Sequence, residues 1–219
     1  MKKKCARAAA ELIKNGMTVG FGGGSTVGLL LEEAAAAGLK LQAVTPSMET
    51  EELCRSYHIP VLALGAVDRV DIAFDGCDEL DHNFCALKSC GGIHTREKLV
   101  AAMADKYVIL SDESKYFPAL PFKFPVAAEV LPAARAYVKQ RLETLGAVVT
   151  ERHCSNKMGL TVTDDGNYLL DAKFLPPADI EAFNQELDAI PGIVGHSLFC
   201  GLIAGAVIAG KSDVRVIWK

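Results

Sequence analysis

The chain has 219 residues, half of them hydrophobic, with 23 Lys and Arg against 27 Asp and Glu and a formal net charge of −4. It can bury a sizeable core in one large domain or in a large and a small one, which excludes an extended disordered chain. The acidic balance offers no basic face to nucleic acid, and the longest apolar run, 198–209, is glycine-interrupted and too short to span a membrane.

Lys2-Lys3-Lys4 reads as a solvated helix start, and no apolar stretch follows it as a secretory signal requires, so a cytoplasmic protein is expected. Seven scattered cysteines without a CxxC pair indicate neither a disulfide framework nor a zinc knuckle, and reduced thiols are expected. His82, Cys85, Cys90 and His94 lie close in sequence, but their spacing fits no common structural zinc pattern, so no metal is expected.

In chain order, strong helix formers at 5–14 are stopped by Asn15-Gly16, and a strand at 17–21 runs into Gly22-Gly23-Gly24-Ser25-Thr26 before a helix at 27–37. A glycine turn between strand and helix presents backbone N–H groups, a positive dipole end and two hydroxyls, which suits a phosphate. No Gly-Lys-Ser/Thr follows, so this is not a P-loop. The dinucleotide fingerprint also fails: Ser25 occupies its third glycine position, and the next strand, 41–44, ends in Thr45-Pro46-Ser47 without a ribose-binding acid. The cradle therefore suits something smaller than a dinucleotide.

Alternation continues through a helix at 49–57, strands at 61–64 and 71–74, a helix at 96–104 and a strand at 107–110, which predicts a parallel sheet covered on both faces. Chemistry is densest between 74 and 98. Asp75 should end a strand, Asp78 and Glu79 follow, Lys88 opens the small-residue loop Lys88-Ser89-Cys90-Gly91-Gly92, and Thr95 is a plausible helix N-cap that leaves Glu97 free. In open α/β sheets this edge is where ligands bind. Lys115 projects from the same edge, and Cys90, between Lys88 and a helix start, is expected to be a reactive thiolate.

Prolines at 118 and 121 mark a hinge. Beyond it a strand at 126–130, a helix at 133–145, strands at 147–150, 161–163 and 168–171, a helix at 177–189 and a strand at 193–199 follow the order of a ferredoxin-like unit. A short helix at 202–210 and a strand at 213–218 close the chain. The expected division is 1–125 plus 200–219 as a Rossmann-like domain and 126–199 as an inserted α+β lobe.

With these residues placed, the chain resembles the type A ribose-5-phosphate isomerases from end to end. The motifs are Gly20-Phe21-Gly22-Gly23-Gly24-Ser25-Thr26, Asp75-Gly76-Cys77-Asp78-Glu79, and Lys88-Ser89-Cys90-Gly91 before Arg96-Glu97-Lys98, with Ser114-Lys115 after a strand. The resemblance implies a Rossmann-like sheet with a ferredoxin-like lobe, a homodimer or homotetramer, a sugar phosphate ligand and no cofactor. It implies interconversion of D-ribose 5-phosphate and D-ribulose 5-phosphate through a cis-enediolate, with Glu97 as base, Lys88 stabilising the enediolate, and Asp75 and Asp78 opening the ring. Gly23, Gly24, Ser25, Thr26, Gly76, Cys77, Ser89, Cys90, Gly91, Lys115 and Lys3 would join Asp75, Asp78 and Lys88 in holding substrate. The chain departs from the family at Gly23, where a hydroxyl is lost, and at Ser89 and Cys90, which replace glycines and would be strained if either needs positive φ. The rival reading is a non-catalytic phosphosugar-binding regulator of related fold.

Overall fold

The computed structural model describes residues 1–155 and 158–219. Helix α1 (Lys2–Ala10) leads to strand β1 (Thr18–Phe21), α2 (Ser25–Ala36), β2 (Gln42–Val44), α3 (Met48–Ser56) and β3 (Ile72–Gly76). A hairpin of β4 (Glu79–Asp81) and β5 (Ala86–Leu87) precedes α4 (His94–Met103), β6 (Tyr107–Asp112) and β7 (Tyr116–Phe117). The lobe follows as β8 (Val126–Val130), α5 (Arg135–Thr144), β9 (Val148–Glu151), β10 (Tyr168–Lys173), α6 (Ile180–Asp188) and β11 (Ile193–His196), and the chain ends with β12 (Leu198–Phe199), β13 (Ile203–Ala209) and β14 (Val214–Trp218).

The main sheet has the order β14-β13-β6-β3-β1-β2, parallel throughout except for β14. This is the Rossmann-like sheet that the alternating pattern demands: Val19, Phe21, Ile72, Phe74, Val108 and Val207 pack under α1 and α2 on one face, while Ala73, Ile109 and Ala206 pack with Val100 of α4 on the other. The lobe sheet, β11-β8-β10-β9, has the ferredoxin-like order and its own core of Val126, Ala128, Val138, Leu142, Leu170, Phe183 and Leu187.

Four expectations are corrected. Residues 203–209 form a strand rather than a helix, because this small-residue run is inserted between β6 and β14, where a side chain on Gly205 would fall 2.5 Å from the Trp218 ring. The strands expected at 61–64 and 161–163 are isolated bridges, Ala43 to Val61 and Val162 to Tyr168. Helix α4 begins at His94, with Ile93 at its N-cap, so Thr95 lies inside the first turn. A third sheet, β12-β5-β4-β7, joins the lobe to the main sheet through strands of two or three residues, too short to leave a periodic trace.

The fourth correction is covalent. Cys85 and Cys200 form a disulfide although 115 residues separate them. The antiparallel pairing of Phe199 with Ala86 carries the next residues into register, and their Cα atoms lie 4.5 Å apart. Neither position belongs to a local cysteine pattern. Closing so long a loop restricts the unfolded chain and stabilises the fold by about 2–4 kcal/mol. Thiol reduction, or Cys200→Ala, should therefore lower the melting temperature by roughly 5–10 °C. Calorimetry on oxidised and reduced protein checks this, and coincident melts would contradict it.

Candidate active site

Asp75 leaves the C-terminal end of β3 into a cleft of about 550 Å³. Its Oδ1 accepts from the Gly76 N–H at 2.8 Å, and its Oδ2 lies 3.0 Å from the Lys88 ammonium and accepts from the Tyr107 hydroxyl at 3.2 Å. This carboxylate can approach β1 only because Gly22 has no side chain, since a Cβ there would lie 2.0 Å from the Asp75 carboxyl carbon. Glu97, in the first turn of α4, stands on the other side of Lys88 at 3.3 Å.

All three side chains are at most 7% exposed. Burial alone would discharge Lys88, but Asp75 and Glu97 outweigh it and hold the ammonium above its ordinary pKa. One ammonium cannot neutralise two carboxylates. Burial, and next the charge of Asp75, push Glu97 up to about 8. The arrangement is a fixed cation beside a carboxyl poised to exchange a proton near neutral pH.

The cleft wall is built from several elements. Asp78 Oδ2 accepts from the backbone N–H groups of Ser89 and Cys90 at 2.7 and 3.1 Å and so shapes the loop after Lys88. Gly23, Gly24, Gly76, Cys77, Cys90 and Gly91 also line the cleft. Ser89 does not: its hydroxyl turns away to the Pro125 carbonyl and to Ser197. Neither Ser89 nor Cys90 has positive φ, so the two replacements bring no left-handed strain, and it is Gly92 that turns at φ +72°.

Gly23, Gly24, Gly76 and Cys77 also border an adjoining pocket of about 290 Å³ that holds Ser25, Thr26, Lys2 and Lys115. Gly24 at φ +89° caps α2 and turns the chain so that the helix N-terminus faces this pocket. Lys115 donates to the Cys77 carbonyl at 2.7 Å. Lys2 donates to Ser25 Oγ at 2.7 Å, whereas Lys3 borders a separate groove with Arg7 and Glu11. Lys2, rather than Lys3, therefore borders the pocket beside Ser25. Adjacent residues of a helix point about 100° apart, and a run of three lysines does not reveal which faces inward.

The Cys90 expectation is overturned as well. Although exposed, its thiol is pushed up to about 11 by partial burial and by the Asp78 carboxylate that organises the same loop. Position in the sequence showed the lysine but not the carboxylate facing the sulfur. Of the four residues weighed as metal ligands, Cys85 is bonded to Cys200, His82 packs at a tilt against Tyr116 and His94 is buried against Gly195, so they do not converge. Contributions that the sequence reading missed are Ser47, Met48 and Glu49 at the start of α3, Asp164 from a lobe turn, and Tyr107. The Thr45-Pro46-Ser47 strand end was a signal for the first group, because Ser47 caps α3.

A sequence profile of the family ribose 5-phosphate isomerase A (phosphoriboisomerase A) matches residues 42–213. The chain is 40% identical over 229 residues to ribose-5-phosphate isomerase A of Synechococcus sp. (strain CC9605), covering 100% of this chain and 96% of that protein. It is similar in structure to ribose 5-phosphate isomerase A from Methanocaldococcus jannaschii, with TM-score 0.93 and 34% identity over 100% and 98% of the two chains. A D-ribose-5-phosphate isomerase in complex with phospho-erythronic acid superposes with TM-score 0.94 and 29% identity over 100% and 97%.

The contrast between neighbouring lysines is testable by calorimetric titration with inorganic phosphate. Lys2→Ala should weaken binding by on the order of tenfold, the scale of one charge-assisted contact, and Lys3→Ala should leave it unchanged. Equal effects would return Lys3 to the cradle.

Proposed function

This chain belongs to the ribose 5-phosphate isomerase A (phosphoriboisomerase A) family, and from that premise we propose how its residues divide the reaction. The protein is an aldose-ketose isomerase that interconverts D-ribose 5-phosphate and D-ribulose 5-phosphate. The substrate phosphate occupies the small pocket, held by Ser25, Thr26, the α2 N-terminus, Lys2 and Lys115. The sugar extends past Gly76 and Cys77 into the larger cleft, towards Asp75, Lys88 and Glu97.

Asp75, with the oxygen of Asp78 not engaged by the loop, accepts hydroxyl protons as the furanose opens. Glu97 removes the proton from C2 of the open aldose and returns it to C1, the O2 hydroxyl proton passes to O1, and the intermediate is a cis-enediolate. One carboxylate serves both carbons because they are adjacent on one face of that intermediate. Lys88 stabilises the negative charge that develops on the enediolate oxygens. The observation that carries this reading is the buried Asp75-Lys88-Glu97 group at the floor of a cleft that opens onto an anion cradle. A non-catalytic phosphosugar regulator would have no use for a buried base, and no contact favours it.

A pair or a foursome of subunits is supported by β14, an edge strand with Val216 and Trp218 exposed. Among the described residues no helix is long and apolar enough to cross a membrane. A charged, water-soluble substrate supports a cytoplasmic location.

Glu97→Gln keeps the shape and removes the base, so turnover should fall by on the order of 10²-fold or more while ribose 5-phosphate still binds. Conversion followed in a coupled assay checks this, and a variant near the wild-type rate removes Glu97 from the role. In the native protein the carboxyl is raised to about 8, so the base form grows as pH rises. The kcat/KM profile should accordingly climb through about pH 8 rather than near the ordinary carboxylate value of about 4.3.

A further inference from the structure

Tyr107 opens β6, and the parallel register sets it beside Ala73, two residues before Asp75 on β3. Strand side chains alternate, so Tyr107 and Asp75 leave the sheet on the same face, where the phenol donates to Asp75 Oδ2 at 3.2 Å. The ring is fully buried, stacks on Phe199 with centroids 6.2 Å apart, and does not line the cleft. It cannot touch a bound sugar, and phenylalanine would pack equally well.

The hydroxyl changes how the two carboxyls share a charge. Asp75 receives three donors: Tyr107, Lys88 at 3.0 Å and the Gly76 N–H at 2.8 Å. Glu97 has Lys88 at 3.3 Å and faces Asp75 across that shared ammonium. Where two carboxyls share one ammonium, a proton is better accommodated on the carboxyl with fewer donors, here Glu97.

We propose that Tyr107 is a positioning residue of the isomerase site, whose hydroxyl holds the negative charge of the Asp75-Glu97 pair on Asp75 and leaves the exchangeable proton on Glu97. The inference rests on the reading of Glu97 as the base. Other groups facing the pair do not substitute for the phenol. Lys88 touches both carboxyls and favours neither strongly. Cys77, raised to about 11 mainly by burial, stays a neutral thiol. Lys98 is lowered to about 8 by burial, but its ammonium lies 3.4 Å from His196, which in turn contacts Asp188, and it faces the site only through the Phe199 ring at 5.2 Å.

Tyr107→Phe tests this without disturbing the packing. Infrared difference spectra of the free protein between pH 6 and 9.5, with carboxyl-carbon-13 aspartate or glutamate incorporated, report which residue type gives up the proton. In the wild type the carboxylic-acid band lost on raising the pH should shift only with labelled glutamate, whereas in Tyr107→Phe part of it should shift with labelled aspartate. The variant's kcat should fall by about tenfold with KM within about twofold, because the phosphate cradle is untouched. A band that remains wholly glutamate in the variant overturns the proposal, whatever happens to the rate. This spectrum is read without turnover, so its failure is distinct from an active Glu97→Gln, which would sink the base assignment instead.

Discussion

The Lys88 ammonium, almost wholly out of water between Asp75 and Glu97, is the contact on which the site depends. Removing Lys88 would leave two buried carboxyls without their cation, and such losses typically cost about 3–5 kcal/mol. Two acids around one cation leave a surplus of negative charge. Burial and that surplus raise the Glu97 carboxyl to about 8, so it can exchange a proton near neutral pH. The Gly76 carbonyl accepts a further bond from Lys88 at 2.7 Å, so the ammonium is fixed by β3 as well as by side chains.

The scaffold holds this cation through a third buried acid. Glu79 accepts from the backbone N–H groups of Phe122, Lys123 and Phe124, tying the hairpin that carries Lys88 to the chain entering the lobe. Phe122 sits at φ +52° within this contact. A non-glycine residue in that region costs about 1–3 kcal/mol, which the three charge-assisted bonds offset. Thr50 of α3 donates to the Gly22 carbonyl at 2.8 Å and secures the other wall of the cleft. The site thus draws on β1, α3, β3, the hairpin and α4, and each is anchored by at least one buried polar bond.

Much of this was legible in the sequence because it depends on local pattern. Asp75 at a strand end, the glycine turn before α2, the lobe order and the nearness of Glu97 to Lys88 all follow from hydrophobic periodicity and turn chemistry. What was not legible depends on contacts between distant segments. The small residues of β13 favour a helix locally and become a strand only because β6 and β14 flank them. Cys200 meets Cys85, and Tyr107 meets Asp75, through strand register. The choice of Lys2 over Lys3 is a matter of helix phase, fixed by the packing of Cys5, Ala6 and Ala9 against the sheet.

The position of β13 between β6 and β14 also constrains synthesis. The ribosome delivers the chain from its N-terminus, so β6 leaves the exit tunnel about a hundred residues before the strand that will cover its flank. During that interval the ferredoxin-like lobe can complete its own sheet, since all six of its elements lie between β7 and β12. The unprotected flank of β6, meanwhile, is an open row of peptide groups able to recruit a strand from another nascent chain. Polysomes crowded with this message are where mispairing would begin, and the arrival of β13 beside β6 ends the exposure.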